Sequence, residues 1–309
     1  MRALILSIIV VAVTQAACSR AVHQKDFASA EDAVQALVTA ARSDDMRALL
    51  EVLGPDAEPT IDSGDPVADK NARTRFVQAY ETEHALDADA EGMTTLQVGV
   101  DKWPFPFPLV QRDKRWRFDS PGGAEEVINR RVGRNELYTI QSCLAFVDAE
   151  REYYSSNPQQ EPMLHYAQKL QSSDGKKDGL YWPAAGDEPQ SPLGEQFARA
   201  RSEGYFKEAA SDSIHSAPFH GYVYRLLTAQ GPNAPGGAYD YLVAGKMIGG
   251  FALIAFPAEY GNSGVMTFIV NHEGVVYSKD LGPETPAAAN AIAAFDPDGS
   301  WKREAGMQP

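Results

Sequence analysis

His220 is the histidine best placed to do chemistry. It sits in Phe219-His-Gly-Tyr-Val-Tyr-Arg225, where strand alternation puts it on one face with Tyr222 and Tyr224. An imidazole titrates near neutrality and can act as a general base. With Asp178, Tyr181, Trp182, Tyr222 and Arg225 it outlines a polar-aromatic pocket covered by a loop at 171–194. The plainer reading, a strand-edge histidine hydrogen-bonded to a carbonyl, is preferred, so no catalytic residue is assigned. The six histidines, at 23, 84, 165, 215, 220 and 272, include no His-x-x-x-His pair. Zinc is not indicated, and no cofactor is expected.

Other motifs reduce to structure. Ser173-Asp-Gly-Lys176 and Ser155-Ser-Asn157 imitate the Ser-x-x-Lys and Ser-x-Asn elements of penicillin-recognising acyl enzymes, but in reversed order and with Ser173 in a glycine loop. Asp296-Pro-Asp298-Gly-Ser300 mimics a calcium loop yet offers only two nearby carboxylates, as an ordinary turn does. Trp103, Phe105 and Phe107, spaced by prolines, read as a core edge rather than a stacking platform. Arg130, Arg131 and Arg134 are read as the one dense basic cluster. Anion binding at a domain junction is weighed there against a solvated helix face paired with Glu125, Glu126 and Glu136, and the solvated face is preferred. Cys143 falls in an apolar helical pattern and reads as a buried thiol.

The whole chain constrains the setting of these residues. Its 309 residues are 44% hydrophobic and 23% charged, ample for about two globular domains. The formal net charge of −14 disfavours nucleic acid and anionic lipid surfaces as partners. Two cysteines cannot make a disulfide framework.

The N-terminus carries an address. Met1-Arg2 precedes the uncharged run Ala3 to Val13, 11 residues long, then Thr14-Gln15-Ala16-Ala17-Cys18-Ser19. A helix of that length spans about 16 Å against a hydrocarbon layer of about 30 Å, so the run is a signal h-region, with residues 1–17 removed on export. Ala17-Cys18 fits the end of a bacterial lipobox, which makes Cys18 the lipidation site. Gln15 stands where such signals prefer Leu, so ordinary cleavage after Ala16 or Ala17 is the alternative. Ser19 in place of Asp points to the outer membrane of a Gram-negative cell. Residues 18–26 would be a tether, and the membrane would be met through the N-terminal lipid only.

Periodicity gives an α+β fold in two domains. At 27–120, helices capped by Ser29 and by Asp65-Pro66 precede antiparallel strands at Thr94–Val100, Trp103–Leu109 and Trp116–Phe118, a pattern like a nuclear-transport-factor cone. Ser120-Pro-Gly-Gly123 reads as the boundary. At 124–303 a long helix from Ala124 to about Tyr154 should lie across strands at 222–228, 239–243, 251–256, 265–270 and 275–277, burying Leu137, Ile140, Leu144, Val147 and Tyr154. Residues 157–205 read as an inserted loop or lid with a short helix near Leu164–Leu170.

Three stretches carry a resemblance. GDPVADKNARTRFVQAY (64–80), DKWPFPFPLVQRDKRWRFDSPGGAEEVINRRVGRNEL (101–137) and GGAYDYLVAGKMIGGFALIAFPAEYGNSGVMTFIVNHEGVVYSKDLG (236–282) resemble the bacterial family known as Domain of Unknown Function 2950, as do KKDGLYWPA (176–184) and SPLG (191–194). The resemblance implies an exported protein, often a lipoprotein, with no assigned activity. RNELYTIQSCLAFVDAEREYYS (134–155) with PAEYGNSGVMTFIVNHEGVVY (257–277) also resembles the globular part of type IV pilins and pseudopilins, a helix packed on an antiparallel sheet. A pilin begins that helix with an apolar half, whereas here Arg130, Arg131 and Arg134 occupy the place, which argues against a pilus subunit. The expected role is a non-catalytic binding or assembly factor in the periplasm, with an envelope protein or small ligand as partner. The alternative is a periplasmic hydrolase or cell-wall-active enzyme built around His220.

Overall fold

Short polar side chains start the helices. In a computed structural model that describes residues 22–89, 92–184, 188–205 and 218–304, Ser29 accepts the Asp32 amide and opens α1 (Ala30–Arg42). Asp45 does the same for α2 (Met46–Leu53), which ends at Gly54, whose φ of +98° suits a residue without Cβ. A 3-10 turn (Pro55–Ala57) and α3 (Glu58–Ile61) lead to α4 (Pro66–Thr82), capped by Asp65 with Pro66 in its first turn. Cys18 and the signal lie outside the described residues, as does His215.

Five strands follow: β1 (His84–Ala88), β2 (Thr94–Val98), β3 (Trp103–Pro104), β4 (Leu109–Arg112) and β5 (Arg115–Phe118). They form an antiparallel sheet in the order β1-β2-β4-β5, with β3 also on β2. Asp113 and Lys114, both at positive φ, make the two-residue turn between β4 and β5. Phe105 closes the core against Phe76, Phe107 and Phe118, while Trp103 stays 47% exposed.

The stretch read as a boundary is a helix start. The helix α5 (Ser120–Ser156) runs 37 residues, about 55 Å, with Pro121 in its first turn, where a missing amide costs nothing. Gly123 is required because a Cβ there would lie 2.1 Å from the Pro106 carbonyl oxygen. The first third of α5 lies against residues 55–61 and the rest on a second sheet. Next come α6 (Gly194–Glu203), β6 (Tyr222–Leu227), β7 (Ala229–Gln230), β8 (Tyr239–Asp240), β9 (Leu242–Val243), β10 (Lys246–Met247), β11 (Ala252–Pro257), β12 (Met266–Asn271), β13 (Val276–Asp280), α7 (Thr285–Ala291) and β14 (Lys302–Arg303). The second sheet is antiparallel, in the order β14-β13-β12-β11-β6, with α5 on one face and α7 on the other. The expected strand at 239–243 is split between β8 and β9, which pair with different partners.

The buried stripe of α5 keeps Val147, with Ile140 and Leu144 packed at its edge, but is centred away from Leu137. Asn135, Thr139, Cys143, Phe146, Glu150 and Tyr153 face the sheet, while Leu137 is 57% exposed. Residues 164–170 form no helix; Tyr166 bridges Met247 in extended form. Nor is the 157–205 region a lid, because Leu180, Tyr181, Trp182, Leu193 and Phe197 belong to the second core. The two hydrophobic clusters, one drawn from residues 27–124 and one from 140–301, are separate. Among the described residues, no helix is long and apolar enough to cross a membrane.

Candidate functional site

The residues expected around His220 are not brought together. Asp178 accepts the Ser173 amide at 2.7 Å, the Ser173 hydroxyl at 3.0 Å and the Lys169 ammonium at 2.8 Å. Burial alone would raise its carboxyl, but these donors outweigh it and hold the group below the usual range. Tyr181 stacks on Phe197 with ring centroids 4.3 Å apart, and Trp182 packs edge-on against Tyr153. Arg225 lies on the opposite face of the sheet from Tyr224: it donates to the carbonyls of Ala289 and Ile292, capping the C-terminal end of α7, whereas the Tyr224 hydroxyl faces Thr139 of α5. Tyr222 is fully buried and donates to the Met266 carbonyl.

His220 departs from the strand pattern because it is not in the strand. It occupies a turn closed by Phe219 and Tyr222, at φ +49° and followed by Gly221 at φ +78°, so alternation does not extend to it. Its ring stacks on Tyr138 at 5.0 Å and sits beside Tyr205 and Phe219. Burial lowers its pKa, although Glu203, 3.5 Å away, and Asp65 pull the other way.

That turn belongs to a polar seam between the two cores. Asp65 is 1% exposed and divides its carboxylate: Oδ1 accepts the Val67 and Ala68 amides, while Oδ2 accepts the Tyr205 hydroxyl at 2.7 Å and the Gly221 amide at 2.9 Å. Arg131 does not form part of a solvated face. It donates to the carbonyls of Pro59 and Thr60 and to Asn262, whose own amide donates to Asp62. Its burial lowers its pKa, while Asp69, itself buried and raised, supports the charge. Nor does Glu136 pair with these arginines; it accepts the Val265 and Met266 amides. The seam is satisfied from within and acts as a clasp.

An open concavity lies on the α7 face of the second sheet. It is a cleft of about 440 Å³, floored by Ile269, Lys279 and Leu281 and walled by Ala288, Ile292 and Trp301. The Lys279 ammonium donates to Ser300 at 2.7 Å and lies 5.7 Å from the centre of the Trp301 ring. Asp296, at the rim, accepts the backbone and side-chain amides of Asn233. Asp298 closes its own turn on Ser300, so the calcium-like stretch is a turn. Among the described residues no three His, Cys, Asp or Glu are placed to hold a metal ion. Lys279 and Trp301 are distant in sequence and meet because β14 pairs with β13, which only the register reveals.

Comparison with known proteins gives one match. A family model described as a protein of unknown function (DUF2950) matches residues 24–304. No curated protein and no solved structure matches the chain.

Proposed function

The chain belongs to the DUF2950 family, and from that premise we propose that it is an exported envelope lipoprotein that works as a non-catalytic binding factor, its ligand seat being the cleft beside α7. In this reading Cys18 is acylated and the protein sits on the periplasmic side of the outer membrane. The observation that carries the binding role is the cleft itself. It is an open groove with mainly apolar walls, with one ammonium at its floor beside an indole and the Asp296 carboxylate at its rim. That set of groups suits a small organic anion with an aromatic or aliphatic body: the body meets Leu281, Ile292 and Trp301, and the anionic end meets Lys279.

The test uses anilinonaphthalene sulfonate, an aromatic anion, titrated against the folded protein. Saturable binding that is lost in Ile292→Trp, which fills the cleft, and weakened in Lys279→Met supports the reading. Equal binding by all three proteins overturns it. Mass spectrometry of the mature N-terminus tests the lipoprotein half independently: a diacylated Cys18 is expected, and an unmodified terminus at any residue refutes it. The hydrolase alternative loses its geometric support, since Asp178, Trp182 and Arg225 are engaged on separate parts of the second unit and His220 is held in the seam.

A further inference from the structure

Beside the place where the chain leaves the fold lies a second basic cluster, the β4–β5 hairpin, with Arg112, Lys114, Arg115 and Arg117. The end of the expected tether at 18–26 is fastened from Gln24 onward. Gln24 donates to the carbonyls of Val52, Leu53 and Phe118, Lys25 pairs with Glu51, and Phe27 and Trp116 exchange backbone hydrogen bonds. Arg115 donates to the Asp26 carbonyl, and Arg117 lies 3.4 Å from the Asp26 carboxylate. Six Cα steps separate Cys18 from the fastened Gln24, a reach of about 20 Å at full extension. An acyl group on Cys18 would therefore keep Gln24, and the hairpin beside it, within about 20 Å of the bilayer. Arg112, Lys114 and Arg115 are exposed, with Lys25 and Arg47 alongside. At the tip of the hairpin Arg112, Lys114 and Arg115 stand against the single acid Asp113, with Asp26, Glu51, Asp119 and, on the neighbouring β1–β2 turn, Asp89 among the described acids nearby, in a chain of net charge −14.

We infer that the β4–β5 hairpin docks on anionic lipid headgroups, as a second membrane contact beside the N-terminal acyl chains. The inference rests on the lipoprotein reading for its geometry. The overall negative charge does not oppose it, because at about 0.1 M salt charges more than about 10 Å from the surface are screened, while the hairpin's own cations are not. Each cation at such a surface contributes about fivefold to partitioning, and a single acyl chain is a weak anchor that gains from a basic patch.

The experiment uses the mature chain with Cys18→Ser, exported behind a cleavable signal, so that binding is read without acyl groups. It is sedimented in 0.1 M salt with vesicles of phosphatidylcholine alone, or of phosphatidylcholine and phosphatidylglycerol at 7:3. Preferential binding to the anionic vesicles is expected, falling about tenfold or more in Arg112→Glu/Lys114→Glu/Arg115→Glu. It should persist in Lys70→Glu/Lys176→Glu/Arg199→Glu, which makes the same change in net charge at exposed sites elsewhere. No preference for anionic vesicles, or equal losses in the two triple variants, would overturn the inference. Both results are independent of whether Cys18 is acylated in the cell, which the mass of the native N-terminus reports.

Discussion

Replacing Glu150 by Gln should make the stability of the protein less sensitive to pH, and the sign follows from the geometry. Glu150 projects from α5 into the second core with no exposed surface. Its Oε2 accepts the Ala167 amide at 2.8 Å, and its Oε1 has no partner among the described residues. Burial pushes its carboxyl well above the usual range, against the smaller opposing effect of that single amide, so the folded protein holds a proton there that the unfolded chain releases above pH 4.5. A raised carboxyl means full stability below the unfolded pKa and a loss as pH rises, until the folded carboxyl also ionises. In that window the slope is up to about 1.4 kcal/mol per pH unit for one proton. The glutamine variant keeps an acceptor for Ala167 and leaves an amide group where Oε1 was, a fixed penalty of about 1–3 kcal/mol. Urea unfolding of both proteins at half-unit steps from pH 4 to 8 isolates the effect. The variant should be the less stable at pH 4 and gain on the wild type steadily above pH 5. A difference between the two that stays constant across the range would refute a protonated Glu150.

Three further outcomes test the packing. Asp65→Asn leaves the Gly221 amide and Tyr205 hydroxyl facing a neutral group and should cost about 2–3 kcal/mol; Tyr205→Phe should cost about 1 kcal/mol, and a double-mutant cycle by urea unfolding should show the two losses coupled. Gly123→Ala pushes a methyl group into the Pro106 carbonyl and should lower the unfolding free energy by about 1–3 kcal/mol, measured the same way. The Cys143 thiol, fully buried and pushed up to about 12, should resist iodoacetamide at pH 8 in the native protein and react on unfolding; prompt native alkylation would contradict its burial.

Where the local rules decide the outcome, the elements were legible. Ser29 and Asp65 cap helices because short acceptors next to an apolar period do little else. The rules failed where tertiary contacts overrode them. The buried face of α5 includes Asn135, Thr139 and Glu150, which a search for apolar spacing passes over in favour of Leu137. β1 was missed because His-Ala-Leu-Asp-Ala is largely exposed and has no alternation to show. The proline- and glycine-rich 157–205 region packs through scattered aromatics rather than through a periodic face. The clasp was half visible: Asp65 announces its cap, but its second oxygen serves Tyr205 and Gly221, 140 and 156 residues away.

The shared helix makes the two cores a single mechanical object. Its opening turns shelter residues 55–61, Ser120 holds the end of α2 through the Leu53 carbonyl, and its later turns form one face of the second core. Severing the chain near residue 120 would strip the first unit of its buttress while leaving the second with a dangling arginine-rich stub. Strain applied to the first unit would thus travel along one rod to the second sheet, because α5 runs unbroken from Ser120 to Ser156.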